Sequence, residues 1–233
     1  MDPTTRVGAP VAPRGIGAGV GAGGGGAITA VVLAGGGARR FGGRDKLALT
    51  VGGVPLLGRV LAVVAALGWP AVVVGPRRDL PPGLPKPVRI REDPPGGGPA
   101  HALAAAVGTA GAVTTDLVAV LAGDLPHLGV GALQRLADAA REAVSGGRDG
   151  ALAVDDAGRD QLLLGVWTAA ALRRALHGVA PGTSVRSVFA GLRAARVHLP
   201  GNPQPWADCD TDADLATARA AEAAVRAAGA HGR

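Results

Sequence analysis

The run ITAVVLA, from Ile28 to Ala34, holds one polar residue, Thr29, and runs straight into three glycines. A strand with one face in water alternates polar and apolar side chains, whereas a run apolar at nearly every position has to be covered on both faces. AVVVG at 71–75 and DLVAVLAGD at 116–124 read the same way, and VRIRED at 88–93 is a further strand ending in acidic residues. Segments with helical apolar spacing separate them. One runs through GRVLAVVAAL with Pro55 near its first position, one is opened by Pro99, and one spans Val130 to Val144 and is stopped by Gly146-Gly147. Doubly covered strands alternating with helices point to an α/β fold: a Rossmann-like three-layer sandwich with a mostly parallel central sheet and helices on both faces.

The second half is less regular. GALAV and QLLLGVW read as strands joined by a polar turn at 155–160, followed by helices over 168–176 and 184–192 and a late strand, ARVHL. Thr211 and Asp214 have the spacing of a capping box, with Asp in place of Glu, at the head of a last Ala-rich helix. The folded domain is expected over 28–220, with 221–233 a helix end and tail, because little apolar surface remains to bury beyond Ala220. Residues 1–27 are rich in Gly, Ala and Pro without apolar periodicity, the composition of a disordered tail. Gly21, Gly23 and Gly26 satisfy G-x-G-x-x-G there, but that fingerprint needs a strand before it, and in a glycine-rich tail the match is chance.

Aromatic residues make up 2% of the chain and tyrosine is absent, so the core has to be built from Val, Leu and Ala. A net charge of +6 admits nucleic acid, anionic lipid or a phosphorylated small molecule as partner. No long Lys/Arg block occurs and no aromatics are interleaved with the basic residues, so no nucleic-acid partner is expected. The most apolar stretch, 60–75, is broken by Gly68-Trp69-Pro70 and falls short of the roughly 20 residues that span a bilayer, so no membrane partner is expected either. Cys209 is the only cysteine, which excludes an intramolecular disulfide and a Cys-rich zinc site. The N-terminus lacks the bulky apolar core of a signal peptide. The expected compartment is the cytoplasm.

Ligands of open α/β sheets bind outside the carboxyl ends of the strands. After the first strand come Gly35-Gly36-Gly37-Ala38-Arg39-Arg40 and then Arg44-Asp45-Lys46, the last of these one of only two lysines in the chain. Glu92-Asp93 follows the third strand, Gly123-Asp124 the fourth, and Asp208-Cys209-Asp210 the late one. Backbone N–H groups and cations would hold phosphates there, and the carboxylates a divalent cation bridging them. A P-loop is excluded because Lys46 is not preceded by Gly and followed by Ser or Thr. A dinucleotide fingerprint is excluded because Arg40 stands where its third glycine belongs.

The stretch LAGGGARRFGGRDKLAL resembles the signature of nucleotidyltransferases that attach a nucleoside monophosphate to a phosphorylated acceptor. In particular it resembles the molybdenum cofactor guanylyltransferases, of the nucleotide-diphospho-sugar transferase superfamily. REDPPGGGPAHALAAAV, AVLAGDLPHL, GRDQLLLGVW, PGTSVRSVFAGL and DCDTDADL match further segments of that family in the same order, together spanning about Ile28 to Ala218. The resemblance implies transfer of GMP from GTP to the phosphate of molybdopterin, with Mg²⁺ as cofactor and release of pyrophosphate. Leu33, Ala34, Gly35 and Gly36 would present backbone groups to the nucleotide, and Asp93 would contact the nucleoside. Arg40 and Lys46 would neutralise the triphosphate, and Asp124 and Asp210 would ligate the metal. The expected assembly is a monomer or a small homo-oligomer. Two positions depart from the pattern: Gly75, where such enzymes often carry a polar side chain such as Asn, and Leu162, where Pro is usual.

Each feature alone also admits a plainer role. The glycines could be turns, Lys46 a solvated charge, Asp124 a turn residue and Asp210 part of a helix start. It is their joint placement at strand ends that favours a site. Other readings stand beside GMP transfer: transfer of CMP or use of another phosphorylated acceptor, a non-catalytic nucleotide-binding homologue, and a basic nucleic-acid-binding domain. His101 and His127 are read as surface residues.

Overall fold

A computed structural model describes residues 27–36 and 43–230, with the side chains of 228–230 excepted. The tail reading of 1–26, the glycine triplet within it and Arg40 lie outside the described residues.

The first strand, β1 (Ile28–Leu33), is followed by a single 3-10 turn (Lys46–Ala48) and a small hairpin of β2 (Thr50–Val51) and β3 (Val54–Pro55). Then come α1 (Leu56–Ala66), β4 (Ala71–Val74), β5 (Val88–Ile90), α2 (Pro99–Gly108), β6 (Leu117–Ala122) and α3 (Val130–Ser145). The second half supplies β7 (Gly150–Val154), β8 (Asp160–Thr168), α4 (Ala169–Leu176), α5 (Val185–Phe189), β9 (Ala194–His198) and α6 (Asp212–Ala230). Seven strands form one sheet in the order β5-β4-β1-β6-β8-β7-β9. All run parallel except β8, which is antiparallel to both β6 and β7.

Successive residues of the central strands go to different cores, as a run without alternation requires. Ala30 and Val32 of β1 pack with Leu57 and Leu61 of α1, Leu133 and Leu136 of α3 and Leu215 of α6. Val31 and Leu33 pack on the other face with Leu103 of α2, Leu172 of α4 and Trp167. The sheet is therefore the middle of three layers. Trp167 and Phe189 meet in a tilted arrangement, 5.0 Å between centroids and 57° between planes, a rare aromatic pair in a core otherwise built from Val, Leu and Ala.

The register ends β1, β4 and β6 level: Leu33 lies beside Val74 on one side and Ala122 on the other. Whatever follows those residues is delivered to one edge of the sheet. Some bounds differ from the sequence expectation. Pro55 closes β3 and stands just before α1, and α5 stops at Phe189, where the chain turns through Leu192 N–H to the Phe189 carbonyl. The capping box forms: Thr211 N–H donates to Asp214 Oδ2 at 2.7 Å, and Asp214 N–H donates back to Thr211 Oγ1 at 3.2 Å. α6 continues beyond Ala220 and stays docked, because Glu222 pairs with Arg59 of α1 at 2.8 Å.

Candidate active site

A cleft of about 910 Å³ opens at the carboxyl edge of β1, β4 and β6. Its position follows from the level strand ends, and its shape from the glycines there. A Cβ on Gly123 would come within 2.9 Å of the Leu33 carbonyl, and one on Gly75 within 2.5 Å of the Ala34 carbonyl. Gly75 also holds φ +143°, so the departure seen in the sequence has a local cause: no side chain fits between these two strand ends.

Leu33, Gly35, Gly36, Lys46, Asp124 and Asp210 all line this cleft. Two other expected contacts are placed differently. Ala34 is fully buried, its N–H donates to the Val74 carbonyl at 2.8 Å, and its own carbonyl accepts from Arg78 Nη1 at 2.6 Å. Asp93 is exposed and is not among the residues lining the cleft; its neighbour Glu92 turns in instead. Glu92 is 7% exposed, and its Oε1 accepts from Gly96 N–H at 3.1 Å. Its Oε2 is buried and has no hydrogen-bond partner among the described residues.

Lys46 stands on a fixed base. Asp45 caps the 3-10 turn, its Oδ1 accepting from Leu47 N–H at 3.2 Å, and Leu47 is buried in the core. From there the ammonium reaches Asp124 Oδ2 at 2.5 Å and Asp210 Oδ1 at 2.7 Å. Asp124 extends β6, whose last turn is tied to β1 by Gly123 N–H donating to Leu33 O at 3.0 Å. Asp210 comes from the strand-to-α6 connection. There Cys209 is buried and its N–H donates to the Asp124 carbonyl at 3.2 Å.

With Cys209 pointing into the core, residues 208 and 210 of an extended segment point the other way. Asp208 thus joins Asp124 and Asp210, and oxygens of the three carboxylates lie within 4.8 Å of one another. Desolvation, followed by the Asp124 and Asp210 charges, pushes the Asp208 carboxyl above its ordinary value. Burial alone would lower the Lys46 ammonium, but its two carboxylate partners outweigh it and hold the amine above its usual value. Burial and the Asp124 charge push the Cys209 thiol up to about 11, which disfavours the thiolate at neutral pH.

Three oxygen-donor carboxylates form the hard ligand set that Mg²⁺ takes, and one ammonium does not balance them. Around them the described residues offer Arg78 and Arg91 as further cations, against Asp45 and Glu92. A polyphosphate therefore meets an acidic floor unless a divalent cation accompanies it.

Residues 30–199 match the model of the MobA-like NTP transferase domain. The chain belongs to that family. It is a nucleotidyltransferase of the MobA-like type, with a sheet and helices arranged as in the nucleotide-diphospho-sugar transferases. The molybdenum cofactor guanylyltransferase of Rhodobacter capsulatus is 29% identical over 197 residues, which cover 82% of this chain and 94% of the relative. A probable molybdenum cofactor guanylyltransferase of Synechococcus elongatus is 35% identical over 108 residues, 46% of this chain and 55% of the relative. Among solved structures, the molybdopterin-guanine dinucleotide biosynthesis protein A of Archaeoglobus fulgidus superposes with a TM-score of 0.61 at 21% identity, covering 82% of this chain and 96% of that one. The 2-C-methyl-D-erythritol 4-phosphate cytidylyltransferase of Thermus thermophilus shares the fold at a TM-score of 0.57 and 21% identity, covering 84% and 98% of the two chains.

No helix among the described residues is long and apolar enough to cross a membrane.

Proposed function

We propose that this enzyme transfers GMP from GTP to the phosphate of molybdopterin. The acceptor phosphate oxygen attacks the α-phosphorus, the bond from that phosphorus to the β-phosphate bridging oxygen breaks, and pyrophosphate leaves. The acceptor oxygen is already ionised at neutral pH, so no general base is required, and catalysis rests on in-line positioning and charge neutralisation. The observation that carries this reading is the placement of Lys46 among Asp124, Asp208 and Asp210 at the edge where β1 and β6 end.

Asp124, Asp210 and Asp208 would hold Mg²⁺, which when bound supplies positive charge to the transferring and leaving phosphates. Lys46 supports the same charge from the side of the glycine loop, where Gly35 and Gly36 leave room for phosphate. Arg40 belongs to this set through the family signature alone. Glu92 brings a buried acceptor to the cleft wall, which suits the two adjacent donors of guanine, N1–H and the 2-amino group.

CMP transfer is the second reading, and one feature favours it: Gly75 offers no side chain to a purine. Offering each nucleoside triphosphate with Mg²⁺ and molybdopterin, and following pyrophosphate release, decides between them. GTP is expected to turn over fastest; turnover with CTP alone would replace the guanine reading, and no turnover with any nucleotide would sink the acceptor assignment.

A further inference from the structure

The Lys46 ammonium sits 2.5 Å from Asp124 Oδ2 and 2.7 Å from Asp210 Oδ1, two of the three carboxylates that cluster at the cleft floor. A Mg²⁺ ion binds carboxylate oxygens at about 2.0–2.1 Å. An ion ligated by these same two oxygens would compete with the ammonium for them. Two cations held by the same pair of oxygens repel strongly, so the binding of one weakens the hold of the other.

We infer that Lys46 is the internal counter-ion of the divalent-cation site: it holds Asp124 and Asp210 together when no divalent cation is bound and swings off them into the cleft when one is. The inference rests on reading the three carboxylates as a metal site and adds what their lysine does.

The residue type fits the task. This chain carries 24 Lys and Arg residues, of which only Lys46 and Lys86 are lysine. An arginine at position 46 could grip a carboxylate with two parallel hydrogen bonds and would resist displacement. A lysine offers one compact charge on a flexible stem, able to leave one anionic partner for another. The anchored turn keeps its Cα in place through Leu47, while the side chain remains 20% exposed toward the cleft. On this account one movement serves two ends. The carboxylates stay gathered without metal, and the released ammonium faces the triphosphate once metal has replaced it.

The second lysine makes the test self-controlled, because Lys86 is exposed and belongs to no part of the cleft lining. The full-length protein is pulsed with an amine-acetylating reagent across a Mn²⁺ titration, and labelling at the two lysines is read by peptide mass spectrometry. Free Mn²⁺ is followed in parallel by electron paramagnetic resonance. Without metal, Lys46 should label about tenfold more slowly than Lys86, and its rate should climb about tenfold along the Mn²⁺ binding curve while Lys86 stays constant.

Mn²⁺ binding with an unchanged Lys46 rate overturns the inference and leaves the metal site standing. Absence of Mn²⁺ binding overturns both, and neither outcome touches the pyrophosphate assay. In a second arm, Lys46→Met should bind Mn²⁺ about tenfold more tightly and Lys46→Arg more weakly than wild type. Equal or weaker binding by Lys46→Met also overturns the inference.

Discussion

The Arg78 guanidinium donates from Nε to Asp45 Oδ2 at 2.6 Å, on a side chain only 10% exposed. From Nη1 it also donates to the Ala34 carbonyl, at 2.6 Å. Ala34 and Asp45 flank the glycine-and-arginine loop, so one arginine clips both of its ends. The contact with Asp45 has a consequence for Lys46, because Asp45 is also the cap of the turn that carries it.

Arg78→Ala should therefore loosen the glycine-and-arginine loop without touching Asp124, Asp208 or Asp210. Initial rates at varied nucleotide are expected to show KM raised about tenfold with a smaller fall in kcat. Arg78→Lys should not rescue it, since one ammonium cannot reproduce two divergent N–H contacts. A normal KM in the alanine variant would show that the loop keeps its shape unaided.

The parts of this site legible in the sequence are those where one local pattern implies the next. Apolar runs such as ITAVVL could only be doubly buried strands, and the residues just past them, Gly35, Gly36 and Asp124, had to gather at one edge. Lys46 and Asp210 followed from the family signature and from their place after strands. Asp208 was within reach, because two acids flanking one apolar residue share a face of an extended segment. Glu92 was not. Which of Glu92 and Asp93 turns inward depends on the Gly96 N–H, four residues beyond Glu92, waiting to bind Oε1. Arg78 was further still from view, since its partners lie 33 and 44 residues away in sequence.

Asp124→Ala removes a carboxylate from the floor of an open cleft, where its ion-pair partner is Lys46. Pyrophosphate release is expected to fall about a thousandfold while circular dichroism and the melting midpoint stay near wild type. Asp208→Asn should be milder, keeping turnover at saturating Mg²⁺ but requiring more of it. If Asp124→Ala retained full turnover, the metal would have to be held elsewhere.

Glu92→Gln separates recognition from stability. The buried Oε2 is an acceptor with no donor among the described residues, so an amide there should leave the fold as stable or more so. The same amide presents a donor where guanine needs an acceptor. Steady-state rates should show kcat/KM for GTP lowered by about 10- to 100-fold, with the loss smaller for CTP. Equal losses for both nucleotides would mean that Glu92 does not read the base.

Stability at the far end of the chain should follow the Glu222 carboxyl. Its Oε2 accepts from Arg59 Nη2 at 2.8 Å and its Oε1 from Arg226 Nε at 3.0 Å. Arg59 in turn donates to the Pro126 carbonyl at 2.8 Å, two residues past Asp124. Burial alone would raise the Glu222 carboxyl, but the two guanidinium groups outweigh it and hold it below its ordinary value of 4.5. A carboxyl depressed by folding stabilises the native state above its unfolded value, and that contribution is lost as pH falls through the folded one. Glu222→Gln should thus cost about 1–2 kcal/mol at pH 7. In urea titrations the gap to wild type should narrow once the pH drops below 4.5, as the glutamate itself becomes neutral. A gap that stayed constant down to acid pH would show that the pairing with Arg59 and Arg226 contributes shape rather than charge.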